Sequence, residues 1–310
     1  MVTLFTDPRM LDHVPSPTHP EKPERLRAVL RQLDRTGLAA KCRTMSVRPA
    51  TDAELLRVHS ARHIAAVERA ALGGRARIEA DTWVSSGSAL AARLAAGAAV
   101  DAVSAVVEGP DRRAFCAVRP PGHHARPDEP MGFCLFGSVA VAAADALERL
   151  GLAQILIVDW DVHHGNGTQE MFHDDGRVGF FSIHRYPFYP GSGAADETGT
   201  GPGLGMIRNA PIAFGTPRAD YLAAFRSGLE AIADRVRPEL VILSAGFDAH
   251  AEDPVGNLGL ESEDFEVMAR DVIAVAETHA GGRLVSVLEG GYNVSILAGC
   301  VASHLEILRD

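Results

Sequence analysis

The 310 residues carry 30 Lys and Arg against 40 Asp and Glu, a formal charge of −10, with 46% apolar side chains. That balance supplies a large core, argues against a nucleic-acid footprint and suits attraction of cationic substrates such as lysine side chains or polyamines. The length admits two domains, but one α/β domain reaches it as well; no internal repeat or linker is visible, so the reading is one domain over residues 1–310.

The amino-terminal residues Met1–Asp7 soon become charged, unlike a signal peptide, and no uninterrupted apolar stretch is long enough to span a bilayer. Thr51 with Glu54 forms a capping-box pattern that opens a short helix. An alanine-rich helix is predicted from Ser86 to Glu108. The run Ala114-Phe115-Cys116-Ala117-Val118 reads as a strand and leads into Arg119-Pro120-Pro121-Gly122-His123-His124-Ala125, where two prolines and a glycine make a rigid, non-helical loop. Adjacent histidines there serve as ligands, acid/base groups or solvated loop residues; beside a metal, acid/base work is favoured because His titrates nearest neutrality. A helix over Ser138–Leu150 follows.

The next strand, Ile155-Leu156-Ile157-Val158, is continuous and aliphatic, as in a parallel sheet covered on both faces. It runs into Asp159-Trp160-Asp161-Val162-His163-His164-Gly165-Asn166-Gly167, at the carboxyl edge where open α/β sheets bind ligands. Asp161 and His163 are two residues apart, so on extended backbone they point the same way and offer two ligands to a metal such as zinc. The segment 190–203 reads as one long loop, of the kind that is functional in compact domains. After a helix over Arg218–Arg235, the strand 240–244 ends at Asp248, a third ligand that leaves an open position for water. A helix over Glu263–His279 precedes the strand 284–287 and Leu288-Glu289-Gly290-Gly291-Tyr292-Asn293. Its paired glycines let backbone approach a site closely, and Tyr292 is either a hydroxyl donor there or a packed loop aromatic. A helix over Val294–Leu308 ends the chain. Alternation of strands and helices predicts an α/β fold. Cys42, Cys116, Cys134 and Cys300 have no metal-type pairing and read as free thiols of a reducing, cytoplasmic setting.

Together, these motifs resemble the zinc-dependent histone deacetylase superfamily, which includes acetylpolyamine amidohydrolases and bacterial histone-deacetylase-like amidohydrolases. The likeness starts at His19-Pro20-Glu21-Lys22-Pro23-Glu24-Arg25-Leu26 and passes through Asp81-Thr82-Trp83. It continues in the class II-like Met131-Gly132-Phe133-Cys134-Leu135-Phe136 and Ala245-Gly246-Phe247-Asp248-Ala249-His250. The resemblance implies a single arginase/deacetylase-type domain with a mainly parallel central sheet flanked by helices on both faces. It implies Zn2+ at Asp161, His163 and Asp248, with His124 as general base and His123 paired with Asp159. Asn166 becomes the partner of His124, and Tyr292 the donor to the oxyanion. Gly132 and Phe133 become a wall of the substrate channel, with Tyr189 the facing aromatic. A structural K+ is implied near Asp159, Asp161, His163 and Ser182.

The implied substrate is an acylated lysine or acylated amine; nucleic acid and membrane are not expected as partners, and oligomeric state is left open. One departure is Gly137, where the family usually has Asn, at the start of the following helix; Gly is tolerated at an N-cap. A binuclear ureohydrolase needs carboxylates where this chain has Gly165 and His250, and a non-catalytic binder is expected to lack a ligand, a histidine or the tyrosine. No insertion is evident at Ala76–Trp83, which favours acyl-lysine over acetylpolyamine.

Overall fold

A computed structural model describes the whole chain, Met1–Asp310. The elements in chain order are β1 (Val2–Phe5), α1 (Glu24–Arg35), β2 (Arg43–Met45), α2 (Asp52–Leu55), α3 (Ala61–Leu72), β3 (Ala76–Arg77), β4 (Trp83–Val84), α4 (Ser88–Glu108), β5 (Arg113–Cys116), α5 (Ser138–Glu148), β6 (Ile155–Asp159), α6 (Asn166–Met171), β7 (Val178–Arg185), β8 (Ile207–Ile212), α7 (Arg218–Val236), β9 (Leu240–Ala245), α8 (Ser262–Ala280), β10 (Leu284–Leu288) and α9 (Val294–Arg309). Eight strands form one sheet in the order β2-β1-β5-β10-β9-β6-β7-β8, and every pairing in it is parallel. β3 and β4 make a separate antiparallel hairpin. The five predicted long helices are present, with ends displaced by up to two residues.

Central strands β6, β9 and β10 are buried at every residue, as continuous aliphatic runs between two helix layers must be. A single cluster of 87 buried apolar residues runs from Val2 to Leu308, so the chain has one core rather than two. α4 has the length and apolar composition of a membrane span, yet 67% of its most apolar window is buried inside the protein. Its polar interruptions are also used internally: Arg93 pairs with Asp52 and Glu68, and Asp101 with Arg48.

Sequence reading did not anticipate α1, α3 or strands β1, β2, β7 and β8. α1 has an apolar stripe at Leu26, Val29 and Leu33, but this lies inside a segment dominated by charge and proline. That segment fastens the sheet to the loops above it. Glu21, Arg25 and Arg119 are all buried. Arg119 forks onto Glu21 at 2.9 and 2.6 Å and donates to the carbonyls of Met10 and His13. Arg25 reaches Glu21 at 3.2 Å and donates to the carbonyls of Glu289 and Gly291. Burial alone would disfavour ionised Glu21, but Arg119 and then His13 outweigh it and hold the carboxyl well below its ordinary 4.5.

A depressed folded pKa stabilises the native state above the unfolded value and loses that contribution as pH falls through the folded one. Glu21→Gln keeps the shape but strands two buried guanidinium groups. Thermal or urea unfolding should show it destabilised by about 3–5 kcal/mol at neutral pH, with the gap narrowing once the pH drops below 4.5. A gap of the same size at neutral and strongly acidic pH would exclude the Glu21 charge as its source.

Candidate active site

The ends of four adjacent strands, β5, β10, β9 and β6, converge at the carboxyl edge of the sheet. Register aligns them: Val287 lies beside Cys116, Leu288 beside Ala245 and Asp159 beside Ser244. The predicted residues leave from these ends. Asp161 and His163 follow β6, Asp248 follows β9, Tyr292 follows β10, and His123 and His124 follow β5.

Asp161, His163 and Asp248 are buried and bring their ligand-type atoms within 4.8 Å of one another. His163 Nδ1 lies 3.0 Å from Asp161 and 3.2 Å from Asp248. The amides of Gly290 and Val162 donate to Asp161 Oδ2 and Asp248 Oδ1, aiming the two carboxylates. Asp248 Oδ2 is buried and faces the same His163 Nδ1 that Asp161 Oδ1 already engages, so it receives no directed hydrogen bond of its own. Burial and the nearby Asp161 charge push Asp248 up to about 7, whereas burial is outweighed at Asp161, which His123 and His163 hold below the usual carboxylate range. An orphaned buried oxygen beside a second carboxylate is the environment a divalent cation satisfies. A β-carbon on Gly290 would fall 2.3 Å from Asp248 Oδ2 and 2.5 Å from Asp161 Oδ2, so glycine is required for this approach. The other buried group of metal-type side chains, His123, Cys134 and Glu289, has its donors engaged. His123 Nδ1 is on Asp159, Cys134 donates to Gly132 O, and Glu289 Oε2 accepts the Gly122 and His123 amides.

The two histidines of the loop after β5 pack against each other, ring centres 4.0 Å apart and planes tilted by 43°, but occupy opposite environments. His123 Nδ1 is 2.9 Å from Asp159 Oδ2. Burial opposes its charge, but Asp159 and Asp161 outweigh that and push it up to about 10. His124 Nδ1 lies 2.7 Å from Asn166 Oδ1, so the amide-oxygen assignment makes it the Nδ1–H tautomer and leaves Nε2 as a base. Burial, the His123 charge and His163 all push His124 well below its usual value.

Gly132 has φ +55°, and a β-carbon there would lie 2.4 Å from the His124 ring. Phe133 packs edge-on against Tyr292 at 5.7 Å, while Tyr189 sits 5.2 Å from His124 and 6.0 Å from His163. Both predicted channel aromatics therefore border the cluster. Burial pushes the Tyr292 phenol well above its ordinary value despite Arg25 beneath the ring, which keeps its proton in place.

Four contributors escaped the sequence reading. Asp253 Oδ2 accepts the Tyr292 and Asn293 amides, Glu289 links that loop to Gly122 and His123, Arg25 clasps it from below, and Phe188 stacks on His163 at 5.3 Å. A carboxylate directly before Gly290-Gly291 was the available signal for Glu289; Arg25 and Asp253 lie too far along the chain for spacing to reveal them. His164 turns away from the cluster onto Ser192 and Gln169.

Residues 19–308 match the family profile of the histone deacetylase domain. A probable deacetylase of Archaeoglobus fulgidus is 40% identical over 97% of this chain and 86% of its own length. A histone deacetylase-like amidohydrolase of Pseudomonas aeruginosa is 39% identical over 94% and 77%. The crystal structure of the HDA15 HD domain superposes with a TM-score of 0.94 at 38% identity, covering 99% of this chain and 88% of that one. Sequence, fold and the arrangement of buried carboxylates and histidines agree: the chain belongs to the histone deacetylase family.

Proposed function

We propose that this chain is a metal-dependent amidohydrolase that removes acyl groups from lysine side chains, with Asp161, His163 and Asp248 holding one Zn2+. The observation that carries the reading is the orphaned Asp248 Oδ2 inside a buried carboxylate–imidazole cluster, next to a neutral and a charged histidine. A divalent ion there supplies Lewis acidity toward the acyl oxygen and toward water. A monovalent cation beside Asp159 and Ser182, which face each other across β6 and β7, belongs to the same proposal.

The chain's residues then divide the proton work. His124, neutral and with Nε2 free, takes a proton from the water that attacks the acyl carbon. Asn166 fixes its tautomer without adding a charge. His123, charged and held by Asp159, keeps His124 a weak, readily reversible base, so that the same proton can pass to the leaving amine as the C–N bond breaks. Tyr292 retains its proton and donates to the oxygen as negative charge develops on it. Phe133 and Tyr189 flank the aliphatic chain, and the Gly132 carbonyl accepts the substrate amide N–H. An acetylpolyamine is the second reading. Glu79 and Asp81 both accept from Thr82 Oγ1, the atom that holds the Phe133 amide, and two carboxyl groups at that edge of the wall would attract a second amine. A panel of acyl-lysine peptides and acetylated polyamines separates the two.

Metal analysis by mass spectrometry should find about one divalent ion per chain, by the ligand set of three plus an open position. Asp248→Ala and His163→Ala should lose both the ion and turnover, and Gly290→Ala should weaken retention because its β-carbon enters the carboxylate pair. Undiminished turnover by metal-free Asp248→Ala would refute the assignment.

His124→Ala should nearly abolish turnover with the ion still bound. Tyr292→Phe should lower kcat by roughly a hundredfold or more, the range for losing one oxyanion donor, with a smaller change in KM. Steady-state kinetics together with metal content checks both: loss of metal in His124→Ala, or an unchanged kcat in Tyr292→Phe, contradicts the roles given.

A further inference from the structure

The channel wall carried by Gly132 and Phe133 is built on unfavourable backbone. Met131 and Cys134 exchange both backbone hydrogen bonds, at 3.2 and 2.9 Å, around a two-residue turn. Both central residues have positive φ, +55° for Gly132 and +69° for Phe133. Gly adopts that region freely, whereas Phe is disfavoured there by its β-carbon and stays only where its surroundings over-determine it. Thr82 Oγ1 accepts the Phe133 amide from one side. On the other side, the segment leaving the turn meets two histidines that have no part in the reaction described above.

His63 Nε2 lies 2.7 Å from the Leu135 carbonyl, so this nitrogen carries the proton and donates. His59 Nε2 accepts the Gly137 amide at 2.9 Å, which puts its proton on Nδ1, 3.0 Å from the Arg126 carbonyl. Both side chains are buried, with ring centres 4.8 Å apart, and Phe136 lies 5.5 Å from each. Gly137 opens α5 with no side chain to cap it. Its own amide donates to His59 Nε2, so the loop's exit is tied to that imidazole. A protonated His59 could not accept this bond.

We propose that His59 and His63 are positioning residues that hold the Met131–Gly137 segment, and with it the Gly132 carbonyl and the Phe133 ring, against the aliphatic chain and amide of the substrate; this rests on the amidohydrolase reading above. Neither residue touches the reacting atoms. They act on a wall that binds ground state and transition state alike, so their loss falls on KM rather than kcat.

The test uses the full-length, metal-loaded protein with an acetyl-lysine peptide. His63→Phe keeps a ring but removes the donor, His63→Gln keeps an amide donor at similar reach, and His59→Phe removes both of that residue's bonds. His63→Phe and His59→Phe should raise KM about tenfold with kcat changed by less than about threefold, and His63→Gln should restore KM. Hydrogen exchange gives a reading independent of turnover: amides of residues 133–137 should exchange about tenfold faster in His63→Phe, while those of β6 stay unchanged. Unchanged exchange in residues 133–137, or a fall in kcat at constant KM, overturns the proposal. If His59→Phe does not fold, the His63 pair decides the question alone. A wild-type protein inactive on every acylated amine would refute the amidohydrolase reading, and the exchange result would still decide whether the histidines hold the wall.

Discussion

Glu21 lies between the buried guanidinium groups of Arg25 and Arg119, and the loops that carry the site are arranged around the way this charge imbalance is met. One carboxylate cannot balance two cations, so the remaining donors turn to backbone carbonyls. Arg119 takes Met10 and His13; Arg25 takes Glu289 and Gly291. Arg119 also begins the histidine loop, and Glu289 begins the loop of Tyr292. The Glu289 carboxylate returns to the Gly122 and His123 amides, closing the circuit. A buried network of this kind is a weak source of net stability compared with apolar packing, but when satisfied it specifies one geometry. Here that geometry is the relative placement of a base and an oxyanion donor that leave from different strands.

Electrostatics then make adjacent, chemically identical side chains different. His123 and His124 share a loop and pack against each other, yet one faces Asp159 and the other faces Asn166. A carboxylate partner stabilises imidazolium; an amide partner fixes a tautomer and leaves the charge unsupported. The charge on His123 in turn makes a second charge on His124 costly. Pairs of titratable groups driven apart in this way are how one site holds an acid and a base at the same pH.

Much of this was legible in the chain. Aliphatic runs ending in carboxylates or histidines marked β5, β6, β9 and β10, because a buried parallel strand needs an unbroken apolar sequence and its carboxyl end has no such need. The long helices were visible through alanine and leucine recurrence. β7 was missed although Val178–Ile183 is apolar, and β1 is only four residues long and flanked by charge. The ligands and the histidine pair could be read because each lies within a few residues of a strand end. Arg25 and Asp253 could not, since their partners lie 266 and 39 residues away and only the folded chain brings them together. Phe133 was legible as a residue of the wall but not as a left-handed one, because nothing in local sequence favours that conformation for phenylalanine.

Sheet order explains why the histidine loop has to be long and stiff. β5 is separated from β6 by β10 and β9. Neighbouring strands are spaced by about 4.8 Å, so the backbone gap from β5 to β6 is on the order of 14 Å. His123 nevertheless sits 2.9 Å from Asp159 at the end of β6. The chain covers that distance between Cys116 and His123, passing over the ends of β10 and β9. A flexible segment of that length would sample many positions for His123 and would lose the pairing to entropy. Pro120 and Pro121 remove conformational freedom, Arg119 is bonded at its start, and the Gly122 amide is held by Glu289 from β10, the first strand crossed. The crossing is therefore fixed at its origin and at its far end, and His124, next in the chain, is delivered to the side of the cluster where Asn166 Oδ1 can accept a hydrogen bond from its Nδ1–H. The same Pro-Pro-Gly-His-His spacing that marked a rigid loop in the sequence is the bridge between the two halves of the site.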